Sequence, residues 1–200
     1  FLVADKAFFL QTLPQKLYIG INQFPLLAIP LFILAGEIMN SGGITQRIVN
    51  LANVMVGHFR AGLAQVNIVA SMLFAGLSGS AVADTSALGS MLIPAMEKEG
   101  YTRAYAAAVT GASSVIGPII PPSIIMVIYA YIMNVSVGGL FLAGFIPGIA
   151  CGLGLMIVTK IIGERRNYPK REKRASFKER TAAFKQGIFP LLTPVIIIGG

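Results

Sequence analysis

Residues 111 to 123 read Gly111-Ala-Ser-Ser-Val-Ile-Gly-Pro-Ile-Ile-Pro-Pro-Ser123, inside an apolar stretch that runs from Arg103 to Tyr131. A single straight transmembrane helix needs about 20 residues, so this stretch is longer than one span requires. Its three closely spaced prolines remove backbone donors and clash with the preceding turn, so it cannot be one continuous helix. We therefore predict a broken helix over 103–131. Its second half should start at Pro121-Pro122, because proline suits the first helical position.

A second interruption, Gly76-Leu-Ser-Gly-Ser80, lies in the middle of the preceding apolar block, residues 61–96. Two full spans and a turn would need roughly 44 residues, which is more than this block contains. Polar, glycine-rich backbone at membrane depth must be covered by protein. We predict a re-entrant helical hairpin over 61–96 with both ends on one side of the membrane. Two short, tilted spans are the alternative.

The other apolar segments extend this pattern to an all-α membrane protein, a multi-span helical bundle. Leu17 to Met39 is predicted to be one span, kinked by its prolines. Ile44 to Val56 is predicted to be a short amphipathic helix at the membrane interface, with its apolar stripe formed by Ile44, Ile48, Leu51 and Met55. A further span is predicted over 140–162, and the next one begins within 188–200. Close helix packing is the predicted role of the glycines at 148, 152 and 154.

Composition agrees with a membrane location. Of the 200 residues, 55% are hydrophobic and 12% are charged, whereas soluble proteins carry about 25% charged residues. A soluble enzyme or nucleic-acid-binding domain is therefore excluded. The net charge of +8 is concentrated in residues 160–185, which hold ten Lys or Arg and three Glu. By the positive-inside rule this basic segment is cytoplasmic and the uncharged 134–139 loop faces outward, so the chain is expected to cross the membrane several times.

Within the basic segment, Ser176 and Glu179 have the spacing of a helix capping box. An apolar stripe follows, formed by Phe177, Thr181, Phe184 and Ile188. We predict an amphipathic arm helix over 163–187 that lies on the inner leaflet, and a solvated basic linker is the alternative. The one cysteine, Cys151, is predicted to be a small buried side chain. The chain starts without methionine and stops within an apolar run, so we expect it to be a fragment.

The two breaks create four helix ends inside the membrane. The helices that follow Ser80 and Pro121 present N-termini, which attract a carboxylate. The ends near Leu77 and Gly117 present carbonyl oxygens beside serine hydroxyls, and such neutral oxygens can replace the water shell of Na⁺. The candidate Na⁺ ligands are Ser78, Ser80, Ser114 and Gly117. No cofactor is expected besides Na⁺ as the coupling ion. The whole candidate ion and substrate site comprises Ser78, Gly79, Ser80, Asp84, Ser113, Ser114, Gly117, Pro121 and Ser123.

Two acidic residues near these breaks have different expected roles. Asp84 is the single acid in the hairpin core, and an ionisable group at that depth is a functional candidate, either as ion ligand or as proton carrier. Its alternative role is electrostatic, because a carboxylate in a first helical turn is favoured by the helix dipole. Glu37 lies near a predicted membrane edge, where a solvated or capping role is expected.

Four segments in order resemble the large membrane subunit of TRAP (tripartite ATP-independent periplasmic) transporters. They are residues 25–43, the hairpin tip 76–84, residues 93–101, and the proline-rich break 111–123. The resemblance implies one of two inverted repeats, each with a re-entrant hairpin and a broken helix, in an elevator-type transporter. It also implies that the tip and break residues form the first-repeat half of an ion and substrate site. The second hairpin and second broken helix have no counterpart here, so a complete site is not expected from this chain alone.

The resemblance further implies a domain plan and partners. Residues 1–57 would provide a scaffold span and an interfacial helix, and residues 58–162 would be part of the transport domain. The partners would be membrane lipid, a small membrane subunit and a periplasmic binding protein. That protein delivers an organic acid anion such as a C4-dicarboxylate, a sialic acid or another sugar acid, and a Na⁺ gradient drives transport.

Two rival functions use the same sequence features. A Na⁺-coupled dicarboxylate symporter without a binding protein would need the same hairpin. An intramembrane serine protease would use Ser78 in its Gly-x-Ser-Gly pattern, but such a serine needs a general base within hydrogen-bonding distance. The one histidine, His58, lies 20 residues before Ser78, near the predicted interface.

Overall fold

The computed structural model describes residues 6–22, 24–170, 176, 178–187 and 192. In these residues all regular secondary structure is helical, which confirms the predicted all-α class. The helices are α1 Lys6–Ile21, α2 Phe24–Ser41, α3 Ile44–Val56, α4 Gly62–Ser78, α5 Ala81–Lys98, α6 Arg103–Ser114, α7 Ile124–Met133 and α8 Val137–Arg165. Residues 178–187 form a further helix, which we call the arm helix.

Helix α4 lies at the centre of the fold. It packs against α2, α3, α5, α6 and α8, and most of its side chains are buried. The buried set includes three polar residues, Gln65, Asn67 and Ser71. Buried polar groups need hydrogen-bond partners, so these side chains help to determine which helices can lie beside α4.

A two-residue connection joins α4 to α5 and confirms the first predicted break. Gly79 stops α4 in a left-handed conformation with φ 58°, and its amide donates to Ala75 O at 3.1 Å. Ser80 then caps α5, so the two helices form a hairpin. The non-helical segment is shorter than predicted, because α4 continues through Gly76, Leu77 and Ser78. Only the left-handed glycine ends the helical hydrogen bonding.

The second break is also confirmed, over residues 115–123 between α6 and α7. Short turns fill it, with Gly117 N donating to Ser114 O at 3.0 Å and Ile120 N donating to Ile116 O at 3.0 Å. The predicted helix start is wrong in detail. Ser123 is the N-cap of α7, and Pro121 and Pro122 precede that cap instead of occupying the first helical position.

Three other predicted helices differ from the structure. The single span from Leu17 to Met39 is wrong, because α1 and α2 divide it. The bounds of α3 are as predicted, but its apolar face is buried against α4 through Ile48, Ala52 and Val56, and not left for the membrane surface. α8 is longer than the predicted 140–162, with 29 residues. By length and apolar composition α8 can cross a membrane, and α4 and α7 are shorter apolar helices.

The basic segment is only partly described. α8 extends to Arg165, so the predicted arm over 163–187 begins inside α8, and the arm helix covers 178–187. Ser176 N donates to Glu179 Oε2 at 2.7 Å, as the capping box predicts. Phe177, Ile188 and most of 188–200 lie outside the described residues.

Glycines on α8 allow close packing at several positions. A side chain at Gly148 would meet Ile120, and one at Gly152 would meet Met72, as predicted for both. The prediction is wrong for Gly154, which has no neighbour within 4 Å of an added Cβ. Cys151 is exposed and not buried, because it lies on the outer face of α8.

Two α8 glycines provide a matched test of this packing. In Gly144→Ala the new Cβ would lie 2.5 Å from the backbone oxygen of Ile119, which belongs to the second break. Because backbone cannot move aside as a flexible side chain can, we expect a loss of about 1–3 kcal/mol in unfolding free energy. Gly154→Ala should be neutral or stabilise by up to about 1 kcal/mol. Thermal unfolding of both purified variants would measure this difference, and equal melting temperatures would contradict the packing of α8 on the break.

Candidate functional site

The two breaks touch each other. An ideal Cβ added at Gly79 would lie 2.8 Å from Pro122 O and 3.0 Å from Ser123 Cα. Together with its positive φ, this contact leaves room only for glycine at the hairpin tip. The hairpin tip therefore packs against the backbone that leads into α7.

Both helix N-termini at this junction are capped by serine. Ser80 Oγ accepts a hydrogen bond from Ala83 N, and Ser123 Oγ accepts one from Met126 N, each at 3.4 Å. Since Gly79 touches Ser123, the residues that cap α5 and α7 lie close together, and so do the N-termini that they cap. Helix N-termini carry partial positive charge, and two of them together favour an anion.

Asp84 connects the hairpin to the second break. Its side chain is completely buried, and Ser78 Oγ donates to its Oδ1. Its Oδ2 has no hydrogen-bond partner in the described structure. An ideal Cβ at Gly117 would lie 2.5 Å from this Oδ2. The structure thus brings together three predicted site residues at the Asp84 carboxylate, with Ser78 on its Oδ1 and Gly117 beside its unsatisfied Oδ2.

The predicted serines of α6 are turned toward other partners. Ser113 Oγ lies 2.9 Å from Ser71 Oγ and 3.1 Å from Thr110 O. Ser114 Oγ donates to Thr110 O at 2.8 Å. The contribution of Ser114 to the break is its carbonyl oxygen, which accepts from Gly117 N. Pro121 is fully buried and offers no donor.

A buried polar ladder between α4 and α6 was not predicted. Its two rungs are Asn67 Nδ2 donating to Thr110 Oγ1 at 2.7 Å, and the Ser71–Ser113 hydroxyl pair. The spacing of Asn67 and Ser71 on one face of an apolar helix is the signal that could have revealed it. The ladder sets the register of the hairpin against the broken helix.

Thr110→Val tests this ladder. The substitution keeps the side-chain shape but removes the oxygen acceptor of Asn67 Nδ2, which then retains only the long 3.9 Å contact to Met96 Sδ. Leaving a buried N–H without a good acceptor costs about 1–3 kcal/mol. We expect a corresponding loss of stability in thermal or denaturant unfolding. Thr110→Ser retains the hydroxyl and should recover most of the loss apart from its small cavity. If the valine and serine variants were equally destabilised, the hydrogen bond between Asn67 and Thr110 would not contribute to stability.

A cavity of about 560 Å³ opens beside the hairpin tip. Its hairpin wall carries Ser78, Ser80, Ser86 and Ser90, and its opposite wall on α2 carries Glu37 and Asn40. Ile124, the first residue of α7, closes one end. Sequence reasoning missed Ser86, Ser90 and Asn40, although Ser86 and Ser90 share a helix face at i, i+4 spacing. Glu37, for which a solvated or capping role is expected from the sequence, lines this cavity on the α2 side.

The histidine required for a protease lies elsewhere. His58 precedes α4 and lines a groove between α3 and the arm helix. Ser78 is at the opposite end of α4, which has 17 residues and is therefore about 25 Å long. Within the described residues no group of three or more His, Cys, Asp or Glu side chains could hold a metal ion.

Comparison with known protein families shows which family the chain belongs to. Residues 1–200 match the model of the DctM component of tripartite ATP-independent periplasmic transporters. The chain belongs to the DctM family. This is a family of transporter permeases and not of enzymes, so the protease alternative is not supported, and membership implies a membrane protein.

Named relatives of this DctM-family chain are permeases of different transporters. It is 47% identical over 93% of its length to the sialic acid TRAP transporter permease SiaT of Haemophilus influenzae, of which it covers 30%. It is 48% identical over 93% of its length to the large permease SiaM of Vibrio cholerae, of which it covers 43%. It is 42% identical over 95% of its length to the C4-dicarboxylate large permease DctM of Pseudomonas aeruginosa, of which it covers 44%. The chain thus spans less than half the length of these relatives.

Proposed function

We propose that the complete permease containing this chain carries an organic acid anion across the bacterial inner membrane, driven by Na⁺. It would act with a small membrane subunit and a periplasmic binding protein, as the tripartite family name suggests. The observation that carries the proposal is the contact between the two helix breaks around Asp84. That contact joins an anion-attracting pair of helix ends to a buried carboxylate oxygen that a bound cation would satisfy.

The surroundings of Asp84 fit Na⁺. A buried carboxylate oxygen without a partner is costly, and a bound cation would remove that cost. The neighbouring oxygen atoms are the Ser78 hydroxyl and the Ser114 carbonyl, and the backbone of Gly117 lies beside them. Hydroxyl and carbonyl oxygens are hard ligands of the kind that binds Na⁺. We propose that Na⁺ bridges Asp84 and the second break, so that ion binding holds the hairpin tip on α7.

The anion would bind on the cavity side of the same junction. The N-termini of α5 and α7 attract a carboxylate, and the serine hydroxyls of the hairpin wall offer hydrogen bonds. Two relatives are named for sialic acid and C4-dicarboxylates, which are both carboxylic acids. Shared carboxylate chemistry therefore supports an organic acid anion as the solute class.

The lengths of the hairpin helices support a re-entrant arrangement. α4 has 17 residues and α5 has 18, so each is about 26 Å long and shorter than the ~30 Å hydrocarbon core. The hairpin begins after Arg60 and ends at Lys98, so the positive-inside rule puts both ends on the cytoplasmic side, as it would for two short spans. We propose that this hairpin and the broken helix move together across the membrane against a scaffold.

The packing of α3 changes the proposed domain boundary. Ile48, Val49 and Ala52 of α3 share one buried cluster with Val66 and Phe74 of α4. Helices that share a core move as one body, because packed interiors resist deformation. We propose that α3 belongs to the transport unit.

Reconstituted uptake tests the function. The complete permease, its small subunit and its binding protein would be assembled with proteoliposomes, and labelled solute uptake measured under inward Na⁺ or K⁺ gradients. We expect uptake only with the Na⁺ gradient and the binding protein present. Equal uptake without the binding protein would instead favour the simpler symporter, and uptake driven equally by K⁺ would contradict Na⁺ coupling.

Two serine variants refine the site. Ser80→Ala removes the cap of α5, worth about 1 kcal/mol, and we expect about a fivefold rise in the Na⁺ concentration for half-maximal uptake. Ser114→Ala keeps the backbone carbonyl, so its effect should be smaller. Thr85→Ala serves as control, because Thr85 is an exposed residue of α5 outside the cavity beside the hairpin tip and its hydroxyl donates only to Ala81 O at 2.8 Å. Unchanged Na⁺ dependence in both Ser80 and Ser114 variants would count against the assignment.

A further inference from the structure

A second cavity, of about 860 Å³, lies far from the helix breaks, where the end of α8 meets the loop before α4. Its polar rim includes Arg60, Lys160 and Lys170. Its apolar wall includes Phe59, Leu153 and Ile157. Cationic side chains at one end of an apolar groove form an amphipathic site, and the transport mechanism does not use it.

Backbone pairing holds two of the cations together. Arg60 and Lys170 form an isolated antiparallel bridge, and Ala61 N donates to Pro169 O at 3.2 Å. Arg60 Nη2 donates to Asn167 Oδ1, which fixes the guanidinium at the rim. Ala61 and Asn167 both have positive φ, 56° and 55°. Non-glycine residues rarely adopt this conformation, and here it accompanies the close pairing of the two segments.

The rim has an excess of positive charge. Glu164 is the one acid that lines this cavity, against three cations. Within the described residues none of the three cations is paired with a carboxylate, and Arg60 Nε is buried without a hydrogen-bond partner. Three unpaired cations at one site repel each other, so an anion there would be stabilised.

The apolar wall continues along α8 away from the rim. Leu153 and Ile157 are 52% and 61% exposed, and Ile149 and Ile146 extend the same side toward the middle of the helix at 45% and 79% exposed. These residues recur at spacings of three or four, so they form a stripe on one helix face. The stripe is long enough to contact hydrocarbon over more than two helical turns.

We propose that this groove binds an anionic phospholipid of the inner leaflet. The phosphate would lie among Arg60, Lys160 and Lys170, and an acyl chain would follow the α8 stripe. Basic pockets between helices on the cytoplasmic side suit anionic lipid headgroups. Free phosphate would use only the rim, whereas a phospholipid also buries the exposed apolar wall, which is why the lipid is the favoured occupant.

Native mass spectrometry of the purified complete permease tests the proposal without any transport assay. The protein would be titrated with phosphatidylglycerol in a neutral detergent, with phosphatidylethanolamine as the reference lipid. The triple variant Arg60→Gln, Lys160→Gln, Lys170→Gln should bind phosphatidylglycerol about 100-fold more weakly than the wild type. The control Arg47→Gln, Lys98→Gln, Arg103→Gln changes the charge equally at other sites and should bind like the wild type.

Two further measurements separate lipid binding from misfolding and from simple ion binding. Lys160→Gln alone alters one exposed side chain of α8 and should weaken phosphatidylglycerol binding about fivefold. Glycerol 1-phosphate, which has no acyl chain, should not compete at the same concentration. Equal phosphatidylglycerol binding by the two triple variants, or effective competition by glycerol 1-phosphate, would overturn the proposal.

Discussion

Asp84→Asn in the complete permease is expected to raise the Na⁺ concentration for half-maximal uptake by at least about 100-fold. The substitution keeps the size of the side chain, and its amide oxygen can still accept the hydrogen bond from Ser78 Oγ. It removes the negative charge that Asp84 places beside the second break. Taking one partner from a buried ion pair costs about 3–5 kcal/mol, which corresponds to this change in affinity.

The measurement is Na⁺-dependent uptake of labelled solute in proteoliposomes. Glu97→Gln serves as the control, because it removes an acid at the end of α5, where Glu97 lies 3.9 Å from Arg103. That control should change the Na⁺ dependence less than twofold. If Asp84→Asn retained wild-type Na⁺ dependence, the carboxylate would have only its helix-dipole role.

Gly79→Ala should abolish transport while the protein still inserts and folds. The alanine Cβ would lie 2.8 Å from Pro122 O, and the residue must keep φ at 58°. Two costs therefore combine. The left-handed conformation of alanine costs roughly 1–2 kcal/mol, and the added Cβ displaces the hairpin tip from α7. Since the tip and α7 are proposed to bind both ion and anion, separating them should lower uptake at least about 100-fold.

Gly43→Ala is the matched control for this effect. Gly43 has φ 73°, but no atom lies within 4 Å of an added Cβ. It therefore carries the conformational cost without the contact. We expect a small loss of thermal stability and nearly normal uptake from Gly43→Ala. Similar uptake by the two variants would mean that the contact between the breaks is not required for transport.

The positions of the two breaks could be predicted because local chemistry causes them. Single prolines lie inside α1, α2, α5 and α8, but the cluster at 118, 121 and 122 interrupts a helix, and a glycine readily ends one. Both the proline cluster and the glycine-rich tip are visible in the sequence. The extent of each break was harder to predict. Gly76 lies inside α4, because the helix ends only at Gly79, where the backbone is left-handed. The prolines at 121 and 122 precede the N-cap of α7, which is Ser123.

The partners of buried polar groups could not be predicted from local patterns. Ser113 was expected at the ion site, but it pairs with Ser71, because α4 packs on α6 in one particular register. Asp84 was identified as a candidate, whereas its approach to Gly117 depends on how the hairpin sits on the second break. The exposure of Cys151 and the burial of the α3 face likewise depend on which helices become neighbours.

The sodium site can be tested directly by equilibrium binding of radioactive Na⁺ to the purified complete permease in the absence of solute. We expect the wild-type protein to bind Na⁺ saturably. Asp84→Asn should bind one Na⁺ fewer per molecule, while Glu97→Gln should bind the wild-type number. An Asp84→Asn protein that is folded and binds the same number of Na⁺ ions with the same affinity would contradict the claim that Asp84 and the two helix breaks form a sodium site.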